Sequence, residues 1–425
     1  LETLLAAFNK GNSKAVDKGH LNVLLTQLNK KLNLFLTNEE LKHEPAIQDA
    51  LLLNFLHDRN LNPTFSKQLN KSVRALLRSP ESTEKYYRLF KLYRLQAFHH
   101  KQIEEQEREE PYRGALQVRY FSVYEYLEKL KRLVAEVADA IAIADIAVDH
   151  SELQAMEAQI EEGYLSDFLL VRLYQQVVCM FLHNDNEALY YRFKEELFSH
   201  ADKIEKQEMH ELLKCALGYC FQHNIRGSGG VFNKEAFELT TYILEHDLLT
   251  YKAYVDHLTF RNMVLTSCNA RAFKTAKQMI RELGPRLNPK DRDNLINYNL
   301  GIVYHKEGDQ DKAMEYFRKL KGRMPFFSEL TYRLAITSIY YKQGEFLLLL
   351  SHLKSMQNYI YRQNNISNSY KTYLLNFVKY TRRLVKAERK KELEQLRELV
   401  EQNEKINNRN WILAKIEEKA RTLKR

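Results

Sequence analysis

Histidine is the residue type with which this sequence could most readily bind a metal ion or transfer a proton. Neither HxxxH nor HExxH, the spacings that place two imidazoles on one face of a helix, occurs among its 14 histidines. His99 and His100 are adjacent, so on a helix their side chains diverge and do not chelate one ion together. We therefore predict no metal ligand and no cofactor site among the histidines.

Paired carboxylates, which could act in general acid–base catalysis, occur in QIEEQEREE (102–110) and MEAQIEEG (156–163). Both stretches lie among polar residues, whereas a catalytic carboxylate needs desolvation or a close charged partner to shift its pKa. We expect these carboxylates to lie on solvated helix surfaces. The sequence thus predicts no catalytic residue, and we expect a protein that is not an enzyme.

The glycine-rich stretch IRGSGGVF (225–232) raises the question of phosphate binding. Gly227, Gly229 and Gly230 fit neither G-x-G-x-x-G nor G-x-x-x-x-G-K-[ST], and no strand pattern precedes them. We interpret the stretch as a flexible turn inserted between two helices. A contact on a binding face is the alternative.

Cysteine could supply nucleophiles, metal ligands or disulfides. The four cysteines lie in apolar helical segments without a CxxC pair: Cys179, Cys215, Cys220 and Cys268. In so long a chain this pattern predicts buried, reduced thiols and not a disulfide framework.

Aromatic and basic residues are interleaved in YYRLFKLYRL (86–95) and LYYRFKEELF (189–198). Such a mixture could stack on the bases of a nucleic acid. At helical spacing, however, the aromatic residues share one face, which favours packing in a core.

The elements that carry these residues are predicted to be helices. Only 13 Gly and 7 Pro occur in 425 residues, and none of the prolines lies between Pro111 and Pro285. Short strands and tight turns are hard to build without such residues, whereas long helices are not. The predicted fold class is all-α.

One stretch, NYNLGIVYHKEGDQDKAMEYFRKLKGRMP, has a more specific spacing. Gly301 and Ala313 are small residues placed where two paired helices would cross closely. Tyr304 and Phe317 share the apolar faces of the first and second helix, with Leu300 and Leu320. The Gly308-Asp309 dipeptide is predicted to form the turn, and Pro325 to end the second helix.

The unit 294–327 resembles the tetratricopeptide repeat, W-x2-L-G-x2-Y…A-x3-F…P, with Asn297 in place of the usual Trp. Degenerate copies of the same spacing extend on both sides, over roughly residues 164–370. The resemblance implies a superhelix (α-α solenoid) of stacked helix pairs. A non-repetitive helical bundle with one matching segment is the alternative.

The resemblance also implies a non-enzymatic scaffold or adapter that holds a peptide or helix of a partner protein in a concave groove. First helices of such pairs line the groove, so the candidate contacts are Tyr298, Asn299, Ile302, His305 and Arg333. Repeats that bind a chaperone's C-terminal carboxylate use Lys, Asn and Arg at defined positions. In 294–327 only Asn299 fits that pattern, and we do not expect a carboxylate clamp.

We predict three regions in the chain. Residues 1–160 form an N-terminal helical region, either diverged repeats or a separate domain, 161–370 the repeat array, and 371–425 charged capping helices. The last region contains 16 Lys and Arg against 8 Glu, so it carries most of the net charge of +10.

The basic segment 371–425 leaves three interpretations open. It could be a solvated cap, a protein-docking helix or a contact with nucleic acid, and a nucleic-acid-binding regulator is the alternative function. The first residues lack the features of a secretion signal, and no apolar run is long enough to cross a bilayer. We expect a soluble, cytoplasmic protein without membrane contact, whose end helices are compatible with self-association.

Overall fold

A computed structural model of the protein describes residues 18–103, 113–143, 158, 165–225, 231–249, 254–322, 324–364, 366 and 368–422. Within these ranges the secondary structure consists of α-helices, two short 3₁₀ turns and two isolated bridges, Glu81 with Ile204 and Val255 with Leu287. No β-strand occurs in this part of the chain. The all-α prediction is therefore confirmed.

The chain forms two compact units, Leu1–Pro80 with Glu84–Tyr124, and Glu81–Thr83 with Glu125–Arg425. The predicted region limits at residues 160 and 370 do not coincide with this division. The basic segment 371–425 belongs to the second unit.

The first unit is a group of helices, two of which have a proline in the first turn. It contains α1 (Lys18–His43), α2 (Pro45–Asp58), α3 (Asn62–Arg78), most of α4 (Thr83–Ile103) and the start of α5 (Arg113–Ile143). Pro45 and Pro63 lie in the first turns of α2 and α3, where the absent N–H is not needed for the helix. In its core Phe65 and Leu69 pack with Leu53 and Leu56.

Two of the four aromatic residues of 86–95 are buried in this unit, and the other two are half-buried. Tyr86 and Leu89 are buried, and Tyr93 stacks on Tyr120 with a centroid distance of 5.4 Å. In the second unit, Tyr190 and Phe193 of the other aromatic–basic stretch are also fully buried. The prediction of core packing is confirmed for these residues.

Helix α1 differs from the sequence expectation in one respect. Its apolar stripe is helical, but Leu28, Leu32 and Phe35 are 62%, 49% and 57% exposed. Among the described elements α1 packs mainly against α2. A regular apolar stripe predicts a helix, but it does not show whether another helix covers the stripe.

The second unit continues with pairs of consecutive helices. After α5 these are α6 (Leu169–Leu182), α7 (Glu187–Ser199), α8 (Lys206–Ile225), α9 (Val231–Glu245), α10 (His257–Asn269), α11 (Phe273–Leu283), α12 (Arg292–Glu307), α13 (Gln310–Arg318), α14 (Phe326–Gln343), α15 (Phe346–Tyr361), α16 (Asn368–Lys386), α17 (Lys390–Glu401) and α18 (Arg409–Thr422). Sequential helices pack together, and alternate helices also touch: α6 contacts α8, α10 contacts α12, and α12 contacts α14.

The pair α12–α13 is held by the close approach that the sequence predicts. A Cβ added at Gly301 would lie 2.3 Å from Cε1 of Phe317, far closer than the 3.4–4 Å of an ordinary van der Waals contact. Ala313 and Phe317 are buried in a cluster with Ile336 and Ile339, so one apolar core joins α12, α13 and α14. Only a residue without a side chain permits this spacing at position 301.

The turns between paired helices also follow the sequence. Gly308 has φ 104° and Gly344 has φ 74°, the left-handed conformation that ends a helix and favours glycine. Asp309 then begins α13 by accepting a hydrogen bond from the backbone N–H of Lys312. The predicted Gly308-Asp309 turn is confirmed.

The end of α13 corrects one expectation. The helix ends at Arg318, seven residues before Pro325, and Pro325 instead precedes the first residue of α14. Asn294 holds the intervening segment, since its side chain accepts from Lys321 N–H at 2.9 Å and donates to the Lys321 carbonyl. Leu320 nevertheless packs against the same core as Phe317.

A buried carboxylate joins four parts of the second unit. Glu208 of α8 accepts hydrogen bonds from the Thr83 hydroxyl at 2.6 Å, Lys131 Nζ at 2.7 Å and the Tyr174 hydroxyl at 2.8 Å. Burial alone would raise the pKa of Glu208, but Lys131 and the Thr83 hydrogen bonds outweigh it, and the pKa is lowered. The charged form is therefore the one that the fold stabilises.

The Gly301 contact predicts the effect of one added methyl group. Gly301→Ala should lower the free energy of unfolding by about 1–3 kcal/mol, because the new Cβ displaces the buried Phe317 ring. Gly218→Ala is the matched control, since its Cβ would lie 3.6 Å from Phe181, an ordinary contact in a helix interior. Urea unfolding of the two variants measures the difference, and equal stability would contradict the close crossing.

The Glu208 contacts predict an acid-dependent stability. Glu208→Gln should cost about 2–3 kcal/mol at neutral pH, because Lys131 loses its charged partner and the buried donors lose a strong acceptor. With the pKa lowered in the fold, the stabilisation is present above the unfolded-state pKa and is lost as pH falls through the folded-state pKa.

Urea midpoints at pH values from about 3 to 7 test this, since the gap between wild type and Glu208→Gln should shrink in acid. Glu211→Gln on the same helix is the control. Its pair with Lys214 is 38% and 46% exposed and should contribute little at any pH. A gap that is unchanged in acid would show that the charge of Glu208 is not the stabilising feature.

Candidate functional site

Arg333, one of the predicted contact residues, lines a groove between α14 and α15. On α14 its Nε donates to Oε1 of Glu329 at 2.7 Å, and its Nη1 lies 3.2 Å from the Ser355 hydroxyl of α15. The guanidinium also lies over the Tyr359 ring, 4.7 Å from the centroid. These contacts fix the guanidinium plane between two helices.

The groove between α14 and α15 has a volume of about 900 Å³. Phe326, Glu329 and Arg333 form the α14 side. The α15 side is a row of exposed polar residues: Ser351, Lys354, Ser355, Asn358 and Arg362. Hydroxyl, amide and cationic groups in such a row can bind the N–H and C=O groups of a peptide main chain and its carboxylates.

The predicted contacts on α12 lie elsewhere. Tyr298 and Ile302 are 2% and 3% exposed and belong to the core with Ala313 and Phe317. Asn299 is 1% exposed, and its side-chain amide donates to the Leu295 carbonyl at 2.8 Å. As placed here, these three side chains pack inside the unit and offer almost no surface to a partner.

His305 occupies an intermediate position near the end of α12. Its Nδ1 lies 2.8 Å from Oε1 of Gln310, at the start of α13. Burial lowers the pKa of His305 more than the Gln310 hydrogen bond raises it, so the imidazole is neutral near pH 7. It joins the two helices of the pair and does not line the Arg333 groove.

Arg261 is a residue that the sequence reasoning missed. From α10 its Nε lies 3.4 Å from the Tyr298 hydroxyl of α12, and its Nη2 lies 3.2 Å from the Thr331 hydroxyl of α14. One side chain thus links three first helices. Its sequence neighbours are ordinary helix residues, so only the packing of α10, α12 and α14 identifies this role.

Part of the charge of the basic segment 371–425 is paired within the segment, on and beside its last two helices. Ion pairs join Arg389 with Glu392, Arg397 with Glu401, Lys415 with Glu418, and Arg421 with Glu417. The sequence predicts such pairs from the interleaved Glu residues. The excess of cations over carboxylates therefore lies mainly on α16, where none of these pairs is found.

The thiols and carboxylates show no convergent arrangement among the residues that the structure describes. None of the four cysteines, all of which lie in the described ranges, forms a disulfide, and burial raises the pKa of Cys215, Cys220 and Cys268 to about 12. Across the described ranges, no three His, Cys, Asp or Glu side chains converge as metal ligands would. Most of 102–110 and 156–163, and all of 226–230, lie outside the described residues.

None of the described helices combines the length and the apolar character needed to cross a membrane. Comparison of the chain with protein-family models, with curated proteins and with solved structures finds no match.

The Arg333 cluster predicts a measurable coupling energy. Arg333 and Glu329 have side chains only 17% and 15% exposed, so their ion pair is better shielded from water than a surface pair. In a double-mutant cycle of Arg333→Met and Glu329→Gln, we expect a coupling of about 1 kcal/mol or more in urea unfolding. Effects that add to within about 0.3 kcal/mol would contradict a coupled pair.

Proposed function

We propose that the protein is a non-enzymatic scaffold whose second unit is a tetratricopeptide-like array of helix pairs, and that it binds a peptide or helix of another protein. The observation that carries the proposal is the packing of α10 to α15. Consecutive helices pair, first helices touch in series, and Gly301 meets Phe317 at the crossing of one pair. This is the contact that the repeat spacing requires.

The binding site that this arrangement favours is the groove at Arg333. Shared packing of α14 and α15 holds its walls, and the pair of Arg333 with Glu329 prearranges its polar groups. A rigid groove binds a peptide at a lower entropic cost than a mobile surface does. Phe326 at one end adds an apolar contact for a side chain of the ligand.

A charge-reversal variant of exposed residues tests the site without disturbing the core. Lys354→Glu/Arg362→Glu changes two exposed cations on the groove side of α15. Lys274→Glu/Arg281→Glu is the matched control on α11, with the same chemical change at two exposed positions and the same net charge. The three proteins are used as bait in an extract of the source cell, and bound proteins are quantified by mass spectrometry.

The expected result is a partner captured by wild type and control but reduced at least about tenfold with the groove variant, the effect of losing roughly 1.4 kcal/mol. Hydrogen exchange with the purified partner should then show protection of α14 and α15. A partner lost equally with both variants, or protection confined to other helices, would refute this groove as the binding site.

A further inference from the structure

A row of positive charge lies on one face of α16. Lys379, Arg382, Arg383 and Lys386 follow one another at spacings of i, i+3, i+4 and i+7, and all four line one groove. From Lys379 to Lys386 the row rises about 10 Å along the helix axis. Lys379, Arg383 and Lys386 are exposed, and Arg382 is half-buried.

These four cations have no carboxylate partner within the described ranges. None of them forms an ion pair with a carboxylate in the described part of the chain, whereas the cations of α17 and α18 named above do. Arg382 donates to a neutral acceptor, Oε1 of Gln357, at 2.7 Å. The charge on this face is therefore available to an external anion.

The face is one wall of a groove of about 1090 Å³ between α15, α16 and α17. The other surfaces are partly apolar: Tyr361 of α15 is 57% exposed and Leu399 of α17 is 39% exposed. Leu375, which is half-buried, contributes further apolar surface. Large apolar side chains exposed beside unpaired charges are typical of a surface that meets a partner.

The α17 wall also carries carboxylates. Glu392 is held by Arg389 and by the backbone N–H of Glu388, and Glu398 lies one turn and a half further along the helix. The groove therefore presents cations on α16, carboxylates on α17 and apolar side chains beside them. A ligand whose negative charge is confined to one face can meet the α16 cations and keep that charge away from the α17 carboxylates.

We propose that this groove binds an acidic amphipathic helix of a partner protein. Carboxylates repeated at i, i+4 and i+7 on such a helix span about 10 Å and match the cation row of α16. Its apolar face would cover Tyr361, Leu375 and Leu399. This is a second binding site, and it does not rest on the Arg333 groove.

The same features disfavour nucleic acid. A phosphate backbone is charged along its whole length, so it would meet the carboxylates of Glu392 and Glu398 as well as the cations. It has no continuous apolar face for Tyr361 and Leu399. A protein helix, in contrast, can separate its acidic and apolar sides.

The test uses the full chain and a fluorescein-labelled synthetic peptide of about 18 residues, with Glu on one helical face and Leu on the other. Fluorescence anisotropy measures the dissociation constant. A second peptide has Gln in place of every Glu, and a labelled oligothymidine of similar length represents nucleic acid. Affinity for the Glu peptide should fall as ionic strength rises, because the cations are exposed.

Two variants locate the interaction. Arg383→Gln/Lys386→Gln removes two groove cations, and Lys390→Gln/Lys391→Gln removes two exposed cations of α17 that do not line the groove. Both change the net charge equally. The groove variant should bind the Glu peptide about tenfold more weakly than wild type does, and the control variant within about twofold of wild type.

Four results would overturn the proposal: no binding of the Glu peptide, equal binding of the Gln peptide, equal losses in both variants, or tighter binding of oligothymidine that is lost in the groove variant. The last result would assign the cation row to nucleic acid. Circular dichroism of each variant checks that the helices are retained. Because all four substituted residues are exposed, loss of the fold is not expected.

Discussion

The second unit depends on helices whose apolar faces cannot be buried alone. Helices of 9 to 20 residues are marginal in water by themselves, and most of their stability comes from packing. The contact of Gly301 with the Phe317 ring shows how close this packing is. Phe317 in turn meets the ring of Tyr332 on the next helix, at a centroid distance of 5.1 Å, so each pair completes the core of its neighbour.

Buried and half-buried polar groups add directional constraints to this apolar packing. Glu208 gathers donors from three other segments, Arg261 links three helices, and Arg333 joins α14 to α15. Each would be costly if its partners were absent, since an unpaired buried polar group loses its hydration without compensation. These groups therefore favour one relative arrangement of the helices over others of similar hydrophobic burial.

The charged residues of the last three helices, α16 to α18, are distributed unevenly. On α17 and α18 three of the seven cations pair with Glu residues three or four positions away, which adds little stability but neutralises part of the charge. On α16 the cations line a groove without such partners. The two grooves are lined by neighbouring positions of α15, Asn358 and Arg362 in one, Gln357 and Tyr361 in the other. The two proposed sites are thus adjacent, and two adjacent sites hold two segments of one partner more tightly than either site alone.

The amino-acid sequence by itself determined the local features of this protein. The helical class, the Gly308-Asp309 turn, the small residue at the α12–α13 crossing and the burial of Tyr86 and Tyr190 all follow from periodicity and residue type. These depend on a few neighbouring residues, which the sequence displays directly.

Tertiary structure alone decided which faces are covered. The tetratricopeptide spacing placed Tyr298 and Ile302 on a groove, whereas packing of α10, α12 and α14 buries them. The sequence pattern also did not predict that α13 ends at Arg318, that the apolar stripe of α1 is exposed, or that the groove cations of α16 are unpaired within the described ranges. Periodicity states which residues share a face of a helix, but the neighbour that meets that face comes from distant parts of the chain.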